Sequence, residues 1–239
     1  MPKFVELWVY LSATPLFGLT ATLVTYVLAH AMYQRVQQAP WANPVLWSVV
    51  VIASVLLVTG TPYPTYFAGA QFIHFLLGPA VVALGWPLWQ RRAALRQRWI
   101  PLLIASLVGG AAASGSALAL ALALDMPHDV VLSLAPKSVT APVAMGIAEK
   151  IGGIPALAAV FAVLTGLVGA LSGRYLFNAM GLPFTTAGWT ARGFALGTAA
   201  HGIGAARAMA VNPDAGAYAG LALGLQVVAS SLLMPLLFR

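Results

Sequence analysis

Long apolar runs follow one another along almost the whole chain, and they decide what it can fold into. A helix needs about 20 apolar residues to cross a bilayer, and about eight runs approach that length. They lie at 5–32, 44–60, 66–90, 99–124, 131–150, 153–173, 191–211 and 215–237. Only 7% of the 239 residues are charged and 61% are hydrophobic, whereas a soluble domain carries about 25% charged residues. The sequence therefore predicts an all-α, multi-pass membrane protein with one domain, residues 1–239.

A group of arginines between the third and fourth runs indicates the orientation. One short stretch contains Arg91, Arg92, Arg96 and Arg98. Because basic loops stay in the cytoplasm, we expect this stretch on the cytoplasmic side. These arginines supply a third of the basic residues behind the net charge of +7. Since no aromatic-interleaved basic face accompanies them, nucleic acid is not an expected partner. We expect the bacterial inner membrane, with the lipid bilayer as the surroundings.

Proline or glycine interrupts three of the runs. The interruptions are Gly78-Pro79 in the third run, Pro136 and Pro142 in the fifth, and Gly197, Gly202 and Gly204 in the seventh. These helices should kink or unwind there. Free backbone at membrane depth is tolerated only where protein buries it or a water-filled cavity meets it. Paired interruptions of this kind indicate the binding site of a transporter.

A weak internal repeat relates 137–170 to 195–228. Thr140 aligns with Thr198, and Pro155 with Pro213, each pair 58 residues apart. The repeat places the interruptions of the fifth and seventh runs in corresponding positions.

Lys137 is the only charged residue in 130–148. A charge in the bilayer costs at least about 2.5 kcal/mol unless it lines a cavity or finds a partner. Ser138 and Thr140 add hydroxyl donors, and a helix restarting near Pro142 would present the positive end of its dipole. These groups favour a site for a small carboxylate. In the alternative interpretation, Lys137 snorkels from a helix end to the interface.

The seventh run supplies the second group of candidates. The His201 imidazole can relay a proton, since it titrates near neutral pH, or it can be a satisfied core residue. Arg207 can bind an anion or end the helix at the interface, and the glycines equally fit a helix-packing face. The predicted substrate-binding residues are Lys137, Ser138, Thr140, Thr198, His201, Gly202 and Arg207.

No enzyme motif is present. The chain lacks a Gly-x-Ser-x-Gly elbow, a His-Glu-x-x-His pair, a phosphate loop and a dinucleotide fingerprint. It contains no cysteine, which excludes disulfides, thiol catalysis and thiolate metal sites. We expect no catalytic residue, no metal and no cofactor, with proton coupling as an option.

Three strings resemble the LrgB/CidB family. They are FLLGPAVVALGWPLW (75–89), APKSVTAPVAMGIAEKIGGIPALAAVFAVLTGLVGA (135–170) and ALGTAAHGIGAARAMAVNPDAGAYAGLALGL (195–225). The family carries two descriptions. In one, its members are antiholin-like and modulate murein hydrolase export and lysis with a small holin-like partner of the LrgA/CidA type. In the other, a plant plastid member exchanges glycolate and glycerate, and bacterial relatives handle pyruvate and similar acids.

The resemblance also implies a fold. The family is thought similar to the bile-acid and sodium/proton symporter superfamily, with inverted repeats, crossing broken helices and elevator-type movement in a homodimer. Any holin-like partner would be a separate polypeptide. Three functions remain open at this point: a carrier of small monocarboxylates, a regulatory subunit without a substrate, and a passive pore.

Overall fold

The described part of the chain is entirely helical. The computed structural model describes residues 15–76, 79, 82, 86, 89 and 92–238, and these residues contain no β-strand. The chain divides into two compact units, residues 1–83 and 84–239. The all-α class is confirmed, and the single domain stays a prediction.

Three helices make up the described part of the first unit: α1 (Pro15–Arg35), α2 (Pro44–Thr59) and α3 (Tyr63–Phe75). Asn43 begins α2, because its side-chain oxygen accepts two backbone N–H groups of the first turn. Gly60 ends α2 in the left-handed conformation, with φ of 63°. Gly18 allows α1 to approach α3, since a Cβ there would collide with the carbonyl oxygen of Tyr66.

The second unit contains α4 (Arg92–Ala123), α5 (His128–Leu134), α6 (Ala141–Ile151), α7 (Pro155–Ala179), α8 (Thr186–Val211) and α9 (Pro213–Leu237). Helices α4 and α9 run side by side in the same direction. The Ser106 hydroxyl donates to the Gln226 side-chain oxygen at 3.1 Å, and further along both helices Leu118 and Met234 belong to one apolar cluster.

The fifth apolar run folds back on itself. Short turns continue α5 through Val139, whose N–H donates to the Pro136 carbonyl, and α6 begins after Thr140. Beyond α6, the Ile154 N–H donates to the Ser133 hydroxyl at 2.7 Å, which brings the chain back to α5. Residues 128–154 are the first hairpin, and residues 135–140 are its tip.

Helix α8 also reverses. Ala200 (φ −118°, ψ 16°) and His201 (φ 40°, ψ −134°) leave the helical conformation. A Cβ built on Gly204 would lie 2.7 Å from the Leu196 carbonyl oxygen, although a straight helix would separate these residues by about 12 Å along its axis. Helix α8 is therefore the second hairpin, and residues 200–202 are its tip.

Glycines hold the second hairpin against α9. Cβ atoms at Gly193 and Gly197 would collide with the backbone of Ala215 and Ala219. Two helix backbones can approach this closely only where side chains are minimal. The interpretation of the seventh run as a helix-packing face is confirmed, and it holds together with the break.

The described residues contain fewer long apolar helices than the eight apolar runs of the sequence. Four helices are long and apolar enough to cross a membrane: Leu16–Arg35, Arg96–Ala123, Pro155–Ala179 and Pro213–Leu237. Pro44–Thr59 is apolar but shorter. The predicted breaks in the fifth and seventh runs are confirmed, but each break reverses the chain, and the length of an apolar run carries no information on reversal. Eight crossings are not confirmed. The start of the first run and Gly78 of the predicted break at Gly78-Pro79 lie outside the described residues.

Candidate functional site

The first tip leaves polar groups of the backbone and side chains without helical partners. Pro136 has no N–H, and the Lys137 N–H bonds back to the Leu134 carbonyl at 3.1 Å. Thr140 precedes the first residue of α6, and its side chain makes no capping hydrogen bond. The first N–H groups of a helix have no partner within it and carry its positive dipole end. The start of α6 therefore favours negative charge.

Two hydroxyls at this tip are buried and unsatisfied. The oxygens of Ser138 and Thr140 have no hydrogen-bond partner among the described residues, and Ser138 is only 2% exposed. A buried polar group without a partner costs about 1–3 kcal/mol. Such an arrangement is retained where a ligand or water completes it.

Lys137 lies between these hydroxyls and the end of α5. Its side chain is half-buried. Among the described residues no carboxylate pairs with it. A half-buried cation beside unsatisfied hydroxyls fits a small anion with hydrogen-bonding oxygens.

The second tip is held by its histidine. His201 is 3% exposed, and its Nε2 lies 2.7 Å from the Ala162 carbonyl oxygen of α7. Because a carbonyl only accepts, Nε2 carries a proton and donates it. Gly166 makes room for the ring, since a Cβ there would lie 2.8 Å from two ring atoms. This hydrogen bond satisfies Nε2, as expected if His201 is a core residue with its polar atoms paired.

The two tips meet. A Cβ built on Gly202 would lie 3.7 Å from the Thr140 methyl group. Lys137 belongs to the first tip and His201 to the second. Five of the seven predicted residues, Lys137, Ser138, Thr140, His201 and Gly202, are thus brought together.

Thr198 and Arg207 lie away from this meeting point. The Thr198 hydroxyl donates to the Phe194 carbonyl at 2.9 Å, and the residue lines a separate cavity with Arg98. Arg207 is buried nearly two turns beyond His201, about 9 Å along the axis.

A buried arginine in α8 was missed in the sequence. Arg192 is 4% exposed and donates to the Asn178 side-chain oxygen at 2.9 Å and to the Leu182 carbonyl. Its guanidinium lies 4.4 Å from the Phe184 ring centre and 5.4 Å from that of Trp189. It fixes the connection between α7 and the second hairpin. The aromatic residues around it were a signal, but they fit an interfacial belt equally well.

Serines of α4 were also missed. The Ser114 hydroxyl donates to the Ala135 carbonyl at 2.9 Å and fastens the first tip to α4. The Ser106 bond to Gln226 fastens α4 to α9. Serine in an apolar helix usually bonds its own backbone, and the sequence gives no indication that these serines reach other elements.

The fold and the site define a multi-pass membrane protein with two hairpins whose tips meet, and the first tip carries a half-buried lysine and two buried hydroxyls. The model of the LrgB-like family matches residues 22–239. The chain belongs to this family.

Curated relatives match over nearly their full length. A Haemophilus influenzae protein is 33% identical over 82% of this chain and 84% of its own. YxaC of Bacillus subtilis is 32% identical over 90% and 91%. The "Holin-like protein CidB" of Staphylococcus aureus is 30% identical over 90% and 92%. No solved structure matches the chain.

Proposed function

We propose that the chain carries small monocarboxylates, such as glycolate, glycerate or pyruvate, across the bacterial inner membrane. The observation that carries the proposal is the pair of buried, unsatisfied hydroxyls of Ser138 and Thr140 beside Lys137, at the meeting point of two hairpin tips. A small carboxylate supplies the negative charge and the hydrogen-bonding oxygens that this arrangement lacks. The proposal requires no catalytic residue.

Each residue has a role in the proposed site. Lys137 neutralises the carboxylate, while Ser138 and Thr140 donate hydrogen bonds to its oxygens or accept one from a 2-hydroxyl group. The start of α6 adds the dipole of its unpaired N–H groups. His201 positions the second tip, and its protonation couples substrate to protons, so uptake rises as the pH falls. Thr198 and Arg207 do not touch the carboxylate directly in this proposal.

The order of elements supports transport. Each hairpin is followed by a helix that begins at a proline, Pro155 for α7 and Pro213 for α9, and both helices are 25 residues long. We infer an inverted repeat, in which the hairpins enter from opposite membrane faces. The parallel course of α4 and α9 supports this topology, because it lets α7 cross back between them. The corresponding mechanism is elevator-type movement within a homodimer.

Uptake into liposomes containing the protein alone tests the proposal. Labelled glycolate and pyruvate are supplied with and without an inward proton gradient. Saturable uptake is expected, and Lys137→Ala should lower it about 10- to 100-fold, the value of a hydrogen bond to a charged group. The matched control is Lys150→Ala, because Lys150 is an exposed lysine at the end of α6 and should leave uptake unchanged.

Three results would oppose this assignment. Wild-type uptake by the Lys137→Ala protein would remove the proposed site. Uptake without saturation would indicate a pore. No uptake by folded, correctly inserted protein would favour a regulatory subunit.

That second function draws support from the name of the Staphylococcus relative, "Holin-like protein CidB". In this alternative, the chain is an antiholin-like subunit that binds a separate LrgA/CidA-type partner and controls murein hydrolase activity. Co-purification with that partner, followed by the same uptake assay, separates the two functions. Transport that needs no partner supports the carrier.

A further inference from the structure

A cavity of about 770 Å³ lies between α4 and the first half of α8, with Tyr218 of α9 also in its wall, and it reaches Ala199 just before the second tip. Arg98 stands among its lining residues, and the walls include Pro101, Leu102, Ala105 and Phe194. Its volume lies within the about 300–1,000 Å³ of sites for drug-sized ligands. A two- or three-carbon acid would leave most of it empty, so the proposed transport substrate does not explain it.

The polar groups of this cavity select a ligand with one anionic end. The Thr190 and Thr198 hydroxyls already donate to carbonyl oxygens of their own helix. Arg98 is the cation of the lining, and no ion pair of Arg98 is present among the described residues. The rest of the wall is mostly apolar. The matching ligand has one anionic group and a long apolar body.

The surroundings provide such a molecule. Arg98 lies at a kink in α4, next to exposed Arg92 and Arg96, and juxtamembrane arginines attract anionic lipid headgroups by about 1 kcal/mol each. Arg92 is engaged by Trp89, whose ring centre lies 4.7 Å from its guanidinium carbon. Arg98 is the member of the cluster that also lines the cavity.

We propose that this cavity binds an anionic phospholipid, with the headgroup phosphate at Arg98 and one acyl chain along Pro101, Ala105 and Phe194. The acyl chain would lie between α4 and α8 next to Thr198, less than one turn before the second tip. A Cβ on Gly109 would lie 3.0 Å from the Thr198 methyl group, so the two helices already touch at the inner end of the cavity. Lipid binding would therefore stabilise the first half of α8, which leads to the second tip.

The test compares thermal unfolding in vesicles of phosphatidylcholine with unfolding in vesicles of phosphatidylcholine and phosphatidylglycerol. No substrate is present, so the outcome does not depend on the proposed transport function. A ligand that binds only the folded protein raises the unfolding midpoint. Phosphatidylglycerol should raise the midpoint of the wild type, and the shift should be lost in Arg98→Gln and in Ala105→Phe, which fills the cavity.

Two matched variants control for general effects. Ile104→Phe places the same phenyl side chain at an exposed neighbouring position, and Arg92→Gln removes a guanidinium outside the cavity. Both should keep the phosphatidylglycerol shift. A shift that survives in Arg98→Gln and Ala105→Phe would overturn the proposal in favour of the general lipid annulus. A change of oligomeric state in Ala105→Phe, without any lipid dependence, would overturn it in favour of contact with a second copy.

A labelling measurement covers the case in which Ala105→Phe fails to fold. Because the chain contains no cysteine, Ala105→Cys introduces a single thiol. Its modification by a membrane-permeant maleimide should be slower in vesicles that contain phosphatidylglycerol than in phosphatidylcholine alone, while Ile104→Cys should react equally in both. Equal rates for Ala105→Cys would contradict the proposed site.

Discussion

The two hairpin tips are built from similar sequence features, yet they are completed in different ways. At the first tip, the Ser138 and Thr140 hydroxyls are buried without partners among the described residues. At the second tip, the buried His201 side chain bonds the Ala162 carbonyl at 2.7 Å, and the backbone of His201 has a positive φ of 40°. One tip has unsatisfied side chains, and the other has a satisfied side chain on an unusual backbone.

This difference separates binding from positioning. Unsatisfied buried groups persist where something else completes them. A non-glycine residue with an unusual backbone persists where the surrounding contacts hold it. The first tip is therefore the better candidate for ligand contact, and the second tip forms the opposing wall.

The largest expected effect concerns glycines that correspond in the predicted internal repeat. Gly204→Ala should destabilise the protein by about 1–3 kcal/mol, because its Cβ would lie 2.7 Å from the Leu196 carbonyl oxygen. Gly146→Ala is the matched control. No atom of the described residues lies within 4 Å of a Cβ at this position, and alanine in a helix is favoured over glycine by about 1 kcal/mol. Thermal unfolding in detergent measures both, and equal shifts would show that the hairpins are packed alike.

The next effect tests the first tip directly. Ser138→Ala combined with Thr140→Val should weaken the apparent affinity for substrate by about tenfold for each 1.4 kcal/mol of hydrogen bonding lost. Without substrate the stability should be unchanged or higher, since two unsatisfied groups are removed. Ser116→Ala is the control, because Ser116 is exposed and bonds the Ala113 carbonyl of its own helix. A large loss of stability in the double variant would assign these hydroxyls a structural role.

A smaller effect concerns the second tip. His201→Gly and His201→Ala both remove the bond to Ala162, but only glycine readily adopts the backbone conformation of this position. We expect His201→Gly to be more stable than His201→Ala by about 1 kcal/mol, measured by chemical denaturation. Equal stability would indicate that the backbone relaxes without cost. If His201 carries the coupling proton, both variants should also lose the pH dependence of uptake.

The smallest effect concerns the link between the first tip and α4. Ser114→Ala leaves the Ala135 carbonyl without its partner and should cost about 0.6 kcal/mol, the average for hydrogen bonds between membrane helices. Ser116 lies two residues further along α4 and is exposed, so Ser116→Ala should change the unfolding midpoint less. A Ser114→Ala protein with wild-type stability but reduced uptake would mean that this bond sets the geometry of the tip alone.

The positions of the breaks were predictable from the sequence, and their consequences were not. Pro136 and Pro142 remove backbone donors, and glycine weakens a helix locally, so composition alone indicates where regular structure stops. Whether the chain then continues or returns depends on distant contacts. The Ser133 hydroxyl bonds Ile154, and Gly193 faces Ala215. Neither contact leaves a periodic signal.

The candidate site divides in the same way. Lys137 was conspicuous because an isolated charge in an apolar run is costly, and Ser138 and Thr140 followed as its neighbours. The orientation of the His201 ring was not accessible, because its partner lies on α7 and the space comes from Gly166. Arg192 escaped notice because its hydrogen-bond partners are an amide oxygen and a carbonyl, and it has no paired acid in the sequence.

The hydrogen bonds from Ser106 to Gln226 and from Ile154 to Ser133 also differ in the order in which they can form. Ser133 and Ile154 are separated by 21 residues, and Ser106 and Gln226 by 120. The cost in entropy of closing a loop rises with its length, and contacts close in sequence form early. The first hairpin can close as soon as Ile154 has been synthesised, whereas the face of α4 around Ser106 waits for the last helix. During insertion this face stays uncovered until the last helix is made, and a chain truncated before Gln226 would leave it open permanently.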